Sequence, residues 1–178
     1  MESTSQIRPL FSTDFSLDKQ RDTTILLCYM LPPFDSAGNL PPGIYEVSWD
    51  ELEVAFATNA HRQRLLAGFR AVAKKLTECG CERVYLDGSF VTSEPVPADF
   101  DGAWELSGVD LRKLLSSEPL LFDFTNRRAA QKAKYLGEMF PADVREASSG
   151  RTFIDFFQQD KTTGTSKGIV AIQLRTIK

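Results

Sequence analysis

Two short runs, Val84-Tyr85-Leu86-Asp87-Gly88-Ser89-Phe90 and Asp99-Phe100-Asp101, constrain this chain more than any other part of it. They predict a strand over 83–87, a glycine-serine turn, and a second strand over 99–106 introduced by Pro95 and Pro97. Residues 99 and 101 of a strand point to one face, with Cα atoms roughly 6–7 Å apart. Two carboxylates so placed repel each other unless a cation lies between them. Mg²⁺ takes oxygen ligands and commonly uses one or two protein carboxylates together with substrate phosphates. Gly88 lets the backbone approach a ligand closely, and Ser89 adds a short hydroxyl that, with the turn's N–H groups, suits a phosphate. Phosphate contacts on one side and metal carboxylates on the other point to metal-assisted nucleotidyl transfer.

The remaining periodicities surround this pair of strands. Ser48 and Glu51 form a capping box that predicts a helix over 49–57. Asn59 caps the next helix, whose Leu65, Phe69, Val72 and Leu76 form one apolar stripe and which Gly80 stops. A short helix is expected over 109–115 with Asp110 in its first turn, and a strand or buried turn over 119–124. A basic helix is expected over 127–139, carrying Arg127, Arg128, Lys132 and Lys134. Apolar strands over 153–158 and 168–174 flank a glycine-containing turn. This order predicts an α+β fold, a mixed sheet with packed helices, in which strands 83–87, 99–106 and 153–158 form the functional sheet.

Gly-Ser, nine residues, then Asp-x-Asp resembles the signature of the polymerase-beta-like nucleotidyltransferase superfamily. Leu31-Pro32-Pro33-Phe34, Leu40-Pro41-Pro42-Gly43-Ile44, Asp87-Gly88-Ser89-Phe90-Val91-Thr92, Ala129-Ala130-Gln131-Lys132-Ala133-Lys134 and Lys167-Gly168-Ile169-Val170 widen the resemblance. Together they look like an uncharacterised family of small bacterial nucleotidyltransferase-like proteins. That likeness implies a nucleotidyltransferase-like domain over 30–178, preceded by an extension or arm over 1–29. It implies a nucleoside triphosphate donor, Mg²⁺ or Mn²⁺ as cofactor, and Asp99 and Asp101 as catalytic metal ligands. A third carboxylate on a neighbouring strand is also implied. Asp155, in Phe153-Ile154-Asp155-Phe156, has the preferred context, and Asp123, in Phe122-Asp123-Phe124, is the alternative. Gly88, Ser89, Lys132 and Lys134 are the expected nucleotide-binding residues; Arg127, Arg128 and Lys167 are further basic candidates, and Asp87 would orient the turn. Gly102 departs from the superfamily pattern, where an apolar residue follows the second aspartate, and is expected to loosen the strand. The implied setting is toxin–antitoxin or phage-defence work, with tRNA or a partner protein as acceptor. The competing reading is a non-catalytic nucleotide-binding or antitoxin-like module on the same fold.

Composition narrows the classes further. At 178 residues the chain can bury a full core in one domain, and a net charge of −3 argues against broad nucleic-acid binding. Cys28, Cys79 and Cys81 make no disulfide framework, which predicts a reducing, cytoplasmic compartment. The single histidine, His61, completes no zinc-ligand spacing with them. No run reaches the roughly 20 apolar residues of a membrane span, so no membrane association is expected. The segment 25–31 is the most apolar, but it runs into Pro32-Pro33 and reads as a strand or packing segment.

Overall fold

The protein is described by a computed structural model over residues 31–174. The expected arm at 1–29 and all but Leu31 of the apolar segment at 25–31 lie outside the described residues.

The strands are β1 (Gly43–Glu46), β2 (Arg83–Asp87), β3 (Phe100–Trp104), β4 (Gly137–Pro141) and β5 (Gly168–Gln173). The helices are α1 (Trp49–Phe56), α2 (Ala60–Glu78), α3 (Leu111–Ser117), α4 (Ala129–Tyr135) and α5 (Phe153–Phe157), with 3₁₀ turns at Ser89–Val91 and Pro119–Phe122 and a left-handed turn at Thr125–Arg128. The strands form one mixed sheet in the order β1-β5-β2-β3-β4, and the fold class is α+β as the sequence predicts. β5 runs antiparallel to β2, and β2 antiparallel to β3; the outer pairs, β1 with β5 and β3 with β4, are parallel.

Local signals set the helix ends. Ser48 and Glu51 make both hydrogen bonds of the capping box at α1. Asn59 accepts the Arg62 N–H at the start of α2, and Gly80, with φ of 93°, follows its end. The α2 stripe Leu65, Phe69, Val72 and Leu76 is fully buried. Each such side chain contributes about 1.5–3 kcal/mol relative to leaving it in water. It packs on the sheet face made by Val84, Leu86, Phe100, Trp104, Met139, Val170 and Ile172. Because strand side chains alternate, the opposite face carries Tyr85, Ala103, Phe140, Ile169 and Ala171. Phe153 and Phe157 of α5 cover that second face, with Phe153 and Phe140 ring centroids 4.4 Å apart.

Three expectations need correction. The run 153–158 is the helix α5, not a strand. Thr152 caps it by accepting the Asp155 N–H at 3.3 Å, and the i,i+4 pair Phe153 and Phe157 is buried while Asp155 stays in solvent. A strand would have put Phe153 and Asp155 on the same face. The basic helix expected over 127–139 stops at Tyr135. Leu136 adopts a left-handed conformation (φ 63°), and the chain enters β4 at once. Finally, β1 begins at Gly43 in a stretch to which the sequence assigns no element, and β5, expected to return beside the 153–158 run, fills the sheet interior between β1 and β2. The unbroken apolar run Ile169-Val170-Ala171-Ile172 suits a strand covered on both faces. Among the described residues no helix is long and apolar enough to cross a membrane.

Candidate functional site

The acidic side chains follow from strand register. Asp87 of β2 pairs with Asp101 of β3, and Asp101 pairs with Glu138 of β4. Directly paired residues share a face, so these three carboxyl groups form a row across three adjacent strands. They lie on the same face as Tyr85, Ala103 and Phe140, one step along each strand beyond the part that α5 covers. Asp99 lies two residues before Asp101, just outside β3. Asp101 turns toward the Gly88-Ser89 turn. A Cβ built on Gly88 would lie 2.5 Å from Asp101 Oδ2, and Gly88 has φ of 77°. A side chain at residue 88 would therefore be strained and would crowd the carboxylate. Gly102 does not loosen β3. It is buried, and Met139 Sδ would lie 2.6 Å from a Cβ there, so the neighbouring strand fills its space.

Loops build walls around this row. The segment after β2 is fastened to the N-terminal turns of α2 by side chains. Asn59 donates to the Pro95 carbonyl at 2.9 Å, and His61 Nε2 donates to the Pro97 carbonyl at 2.6 Å. The buried guanidinium of Arg62 donates to the carbonyls of Phe56, Phe90 and Glu94, which matches a desolvated cation to acceptors it would otherwise lack. The loop at 160–167 is organised by Asp160, which accepts the N–H groups of Thr162 and Thr163 at 2.9 and 2.8 Å. These bonds hold its carboxyl down at about 2. Asn39 ties that loop to residues 35–39, donating to Asp160 at 3.2 Å. The result is a cleft of about 640 Å³, lined by Gly88, Ser89, Thr92, Asp99, Asp101 and Lys161 among others. That volume lies within the range of small-molecule sites, about 300–1,000 Å³.

Three lysines answer the acidic row, each differently. Lys167, buried, meets Asp87 Oδ1 at 2.5 Å. Burial pushes the Asp87 carboxyl up, and Lys167 opposes the rise. Lys132 Nζ spans Glu138 Oε1 at 2.5 Å and Asp99 Oδ2 at 2.9 Å, and these bonds raise its pKa. Lys161, largely exposed, lies 3.9 Å from Asp101 Oδ2. Burial pushes Asp101 up to about 6; Lys161 opposes this, and the charges of Asp87, Asp99 and Glu138 add to it. A carboxyl whose folded pKa exceeds its unfolded value weakens the fold as pH rises from about 4 through 6, because the unfolded chain ionises first. In chelator-treated protein, Asp101→Asn is therefore expected to raise stability at pH 8 by about 1–3 kcal/mol, a gain that vanishes below about pH 4. Urea unfolding at the two pH values measures it, and equal stability of the two proteins at pH 8 would contradict the assigned burial.

The donor chemistry fits a divalent ion. Asp99 and Asp101 supply hard oxygens beside a turn suited to phosphate, the ligand number Mg²⁺ commonly takes from protein. Among the described residues no three His, Cys, Asp or Glu side chains converge as a metal cage. The ion would draw its remaining ligands from substrate and water.

The other expected site residues fall elsewhere. Asp155 is exposed on α5, where its carboxylate accepts the Thr152 hydroxyl at 2.6 Å. Asp123 ends a 3₁₀ turn, and bonds from Thr125 lower its pKa. Neither lines the cleft, and the carboxylate on the strand beside Asp101 is Glu138. Lys134 gives its ammonium to the buried Glu118, at 2.6 and 2.8 Å, and does not line the cleft. Arg128 lies 3.5 Å from Glu138 and 4.0 Å above the Phe140 ring centroid, while Arg127 is exposed. Glu138 and Lys161 were not singled out in sequence. Glu138 sits in a run that reads as the end of a basic helix, and its signal is the Leu136-Gly137 break just before it.

No curated protein and no solved structure matches the chain. A family model does, from residue 32 to residue 173, from the Pro-Pro turn through the whole sheet. The chain belongs to that family, DUF6932, a family of unknown function.

Proposed function

We propose that the chain is a metal-dependent nucleotidyltransferase, moving a nucleotidyl group from a nucleoside triphosphate to a hydroxyl. The observation that carries this reading is the facing of Asp101 and Gly88. The turn suited to phosphate and the carboxylate suited to a metal meet at one end of a polar cleft, with Asp99 two residues away and Glu138 on the next strand. Mg²⁺ or Mn²⁺ at Asp99 and Asp101 would neutralise phosphate charge and align the acceptor with the α-phosphorus. Gly88 and Ser89 hold the phosphates through backbone N–H groups and hydroxyl. Lys161, exposed on its loop at the same cleft, is free to swing to a phosphate when the donor enters. In the reaction the acceptor hydroxyl gives its proton to water, its oxygen bonds to the α-phosphorus, and the bond from that phosphorus to the α,β-bridging oxygen breaks, so that pyrophosphate leaves with the electron pair. Lys132, expected from sequence to meet nucleotide, serves the carboxylates instead.

The resemblance noted above extends the proposal to an RNA acceptor such as tRNA, or to a partner protein, in a bacterial toxin–antitoxin or phage-defence setting. The buried thiols of Cys79 and Cys81 suit a reducing cytoplasm. The second reading, a nucleotide-binding or antitoxin-like module without turnover, draws on Lys132, whose ion pairs balance two of the carboxylates with no ion bound. Both readings require a donor site. Calorimetric titration with non-hydrolysable nucleoside triphosphates and Mg²⁺ is expected to show one site per chain, weakened at least about tenfold by Asp101→Asn. Absence of binding for all four bases would contradict both.

A further inference from the structure

We infer that Lys132 is a built-in cation of this site, holding the place between Asp99 and Glu138 and limiting the site to a single divalent ion on the Asp101 side. The inference rests on the metal-dependent reading above and deepens it. Asp99, immediately before β3, and Glu138, on the neighbouring β4, leave between them the position a bridging ion would fill. The Lys132 ammonium is there, 2.9 Å from one and 2.5 Å from the other.

Lys132 is held there rather than resting there. The residue before it, Gln131, is fully buried and accepts the Met139 N–H at 2.9 Å, which fixes α4 against β4. Two residues after it, Lys134 is anchored to buried Glu118. The chain enters α4 through three successive left-handed residues, Asn126, Arg127 and Arg128, a path that side chains disfavour, and Arg128 is tied there to Glu138 and the Phe140 ring. The helix therefore delivers Lys132 to β4 in one register, and an ion entering between Asp99 and Glu138 would have to displace an ammonium that two carboxylates hold.

Lys161 differs in each respect. It extends from an exposed loop, its side chain is 70% accessible, and its ammonium stands 3.9 Å from Asp101. An ion can take its place at little cost. The asymmetry puts the one divalent ion at Asp101 and at the Asp99 oxygen that Lys132 leaves, Oδ1, with Lys132 supplying the second positive charge. An ammonium is a point charge with three donors and no vacant coordination position, so it can balance the carboxylates but cannot take a phosphate or hydroxyl oxygen as a metal ligand.

Counting Mn²⁺ bound to the full chain by electron paramagnetic resonance tests this directly. One ion per chain is expected for the natural protein and for Lys132→Arg, which keeps the charge. Two are expected for Lys132→Met and Lys132→Gln. Two ions on the natural protein would overturn the inference and leave the metal-dependent reading standing. No ion on the natural protein would overturn both. A count unchanged at one in natively folded Lys132→Met or Lys132→Gln would also overturn the role given to Lys132. The natural protein's own count remains decisive if neither variant folds.

Discussion

Lys167→Met is expected to destabilise the protein by about 3–5 kcal/mol, because it strands an ionised carboxylate in the interior. Asp87 and Lys167 are 2% and 8% exposed, and their charged atoms are 2.5 Å apart. Removing the ammonium leaves Asp87 with the Gly88 N–H as its neighbouring donor, too little for a desolvated charge. Burial already raises the Asp87 pKa, and without Lys167 the rise is larger. The sign of the pH dependence follows. Below the unfolded value, near pH 4, Asp87 is protonated in both states and the penalty disappears; above it the penalty grows. The variant's deficit should therefore be large at pH 8 and small at pH 4. Asp87→Asn added to Lys167→Met is expected to restore most of the loss, because it removes the stranded charge. Denaturant unfolding at both pH values measures all three proteins, and a loss below about 1 kcal/mol at pH 8 would contradict the buried pair. Since Asp87 precedes Gly88 and Lys167 lines the cleft, the same pair that stabilises the fold also fixes the turn at the site.

How far the sequence discloses this arrangement depends on the range of the interaction involved. Ser48, Glu51 and Asn59 cap their helices through neighbours three residues away, and the α2 stripe repeats within its own helix, so these elements were legible. The approach of Gly88 to Asp101 was legible as well, because a turn and a strand close in sequence make it, while Asp99, expected on that strand, lies just before it. Glu138 was not. Its place beside Asp101 comes from the pairing of β4 with β3, and no local pattern encodes that register. The left-handed Leu136 that frees β4 from α4 is a residue with no intrinsic preference for that conformation, imposed by the tertiary structure. Asp155 misled for the opposite reason. Phe-Ile-Asp-Phe-Phe is short and apolar enough to serve as strand or helix, and the Thr152 cap together with the aromatic pair under α5 decided for helix. Lys132 and Lys134 read alike on one basic helix, yet one reaches Asp99 and Glu138 and the other the buried Glu118, a division set by partners on other elements.

Loss of both aspartates is expected to reduce nucleotidyl transfer by about 10³-fold or more, about 4 kcal/mol of transition-state stabilisation. Asp99→Asn with Asp101→Asn keeps the shapes of both side chains and removes two charges from a crowded acidic row, so the fold should survive. The most direct measurement incubates the purified chain with each α-labelled nucleoside triphosphate, Mg²⁺ or Mn²⁺, total tRNA and cell lysate. The account predicts label on RNA or protein with the natural chain, and none above background with the double variant. Label transferred equally by both proteins, or no transfer from any of the four donors, would contradict it.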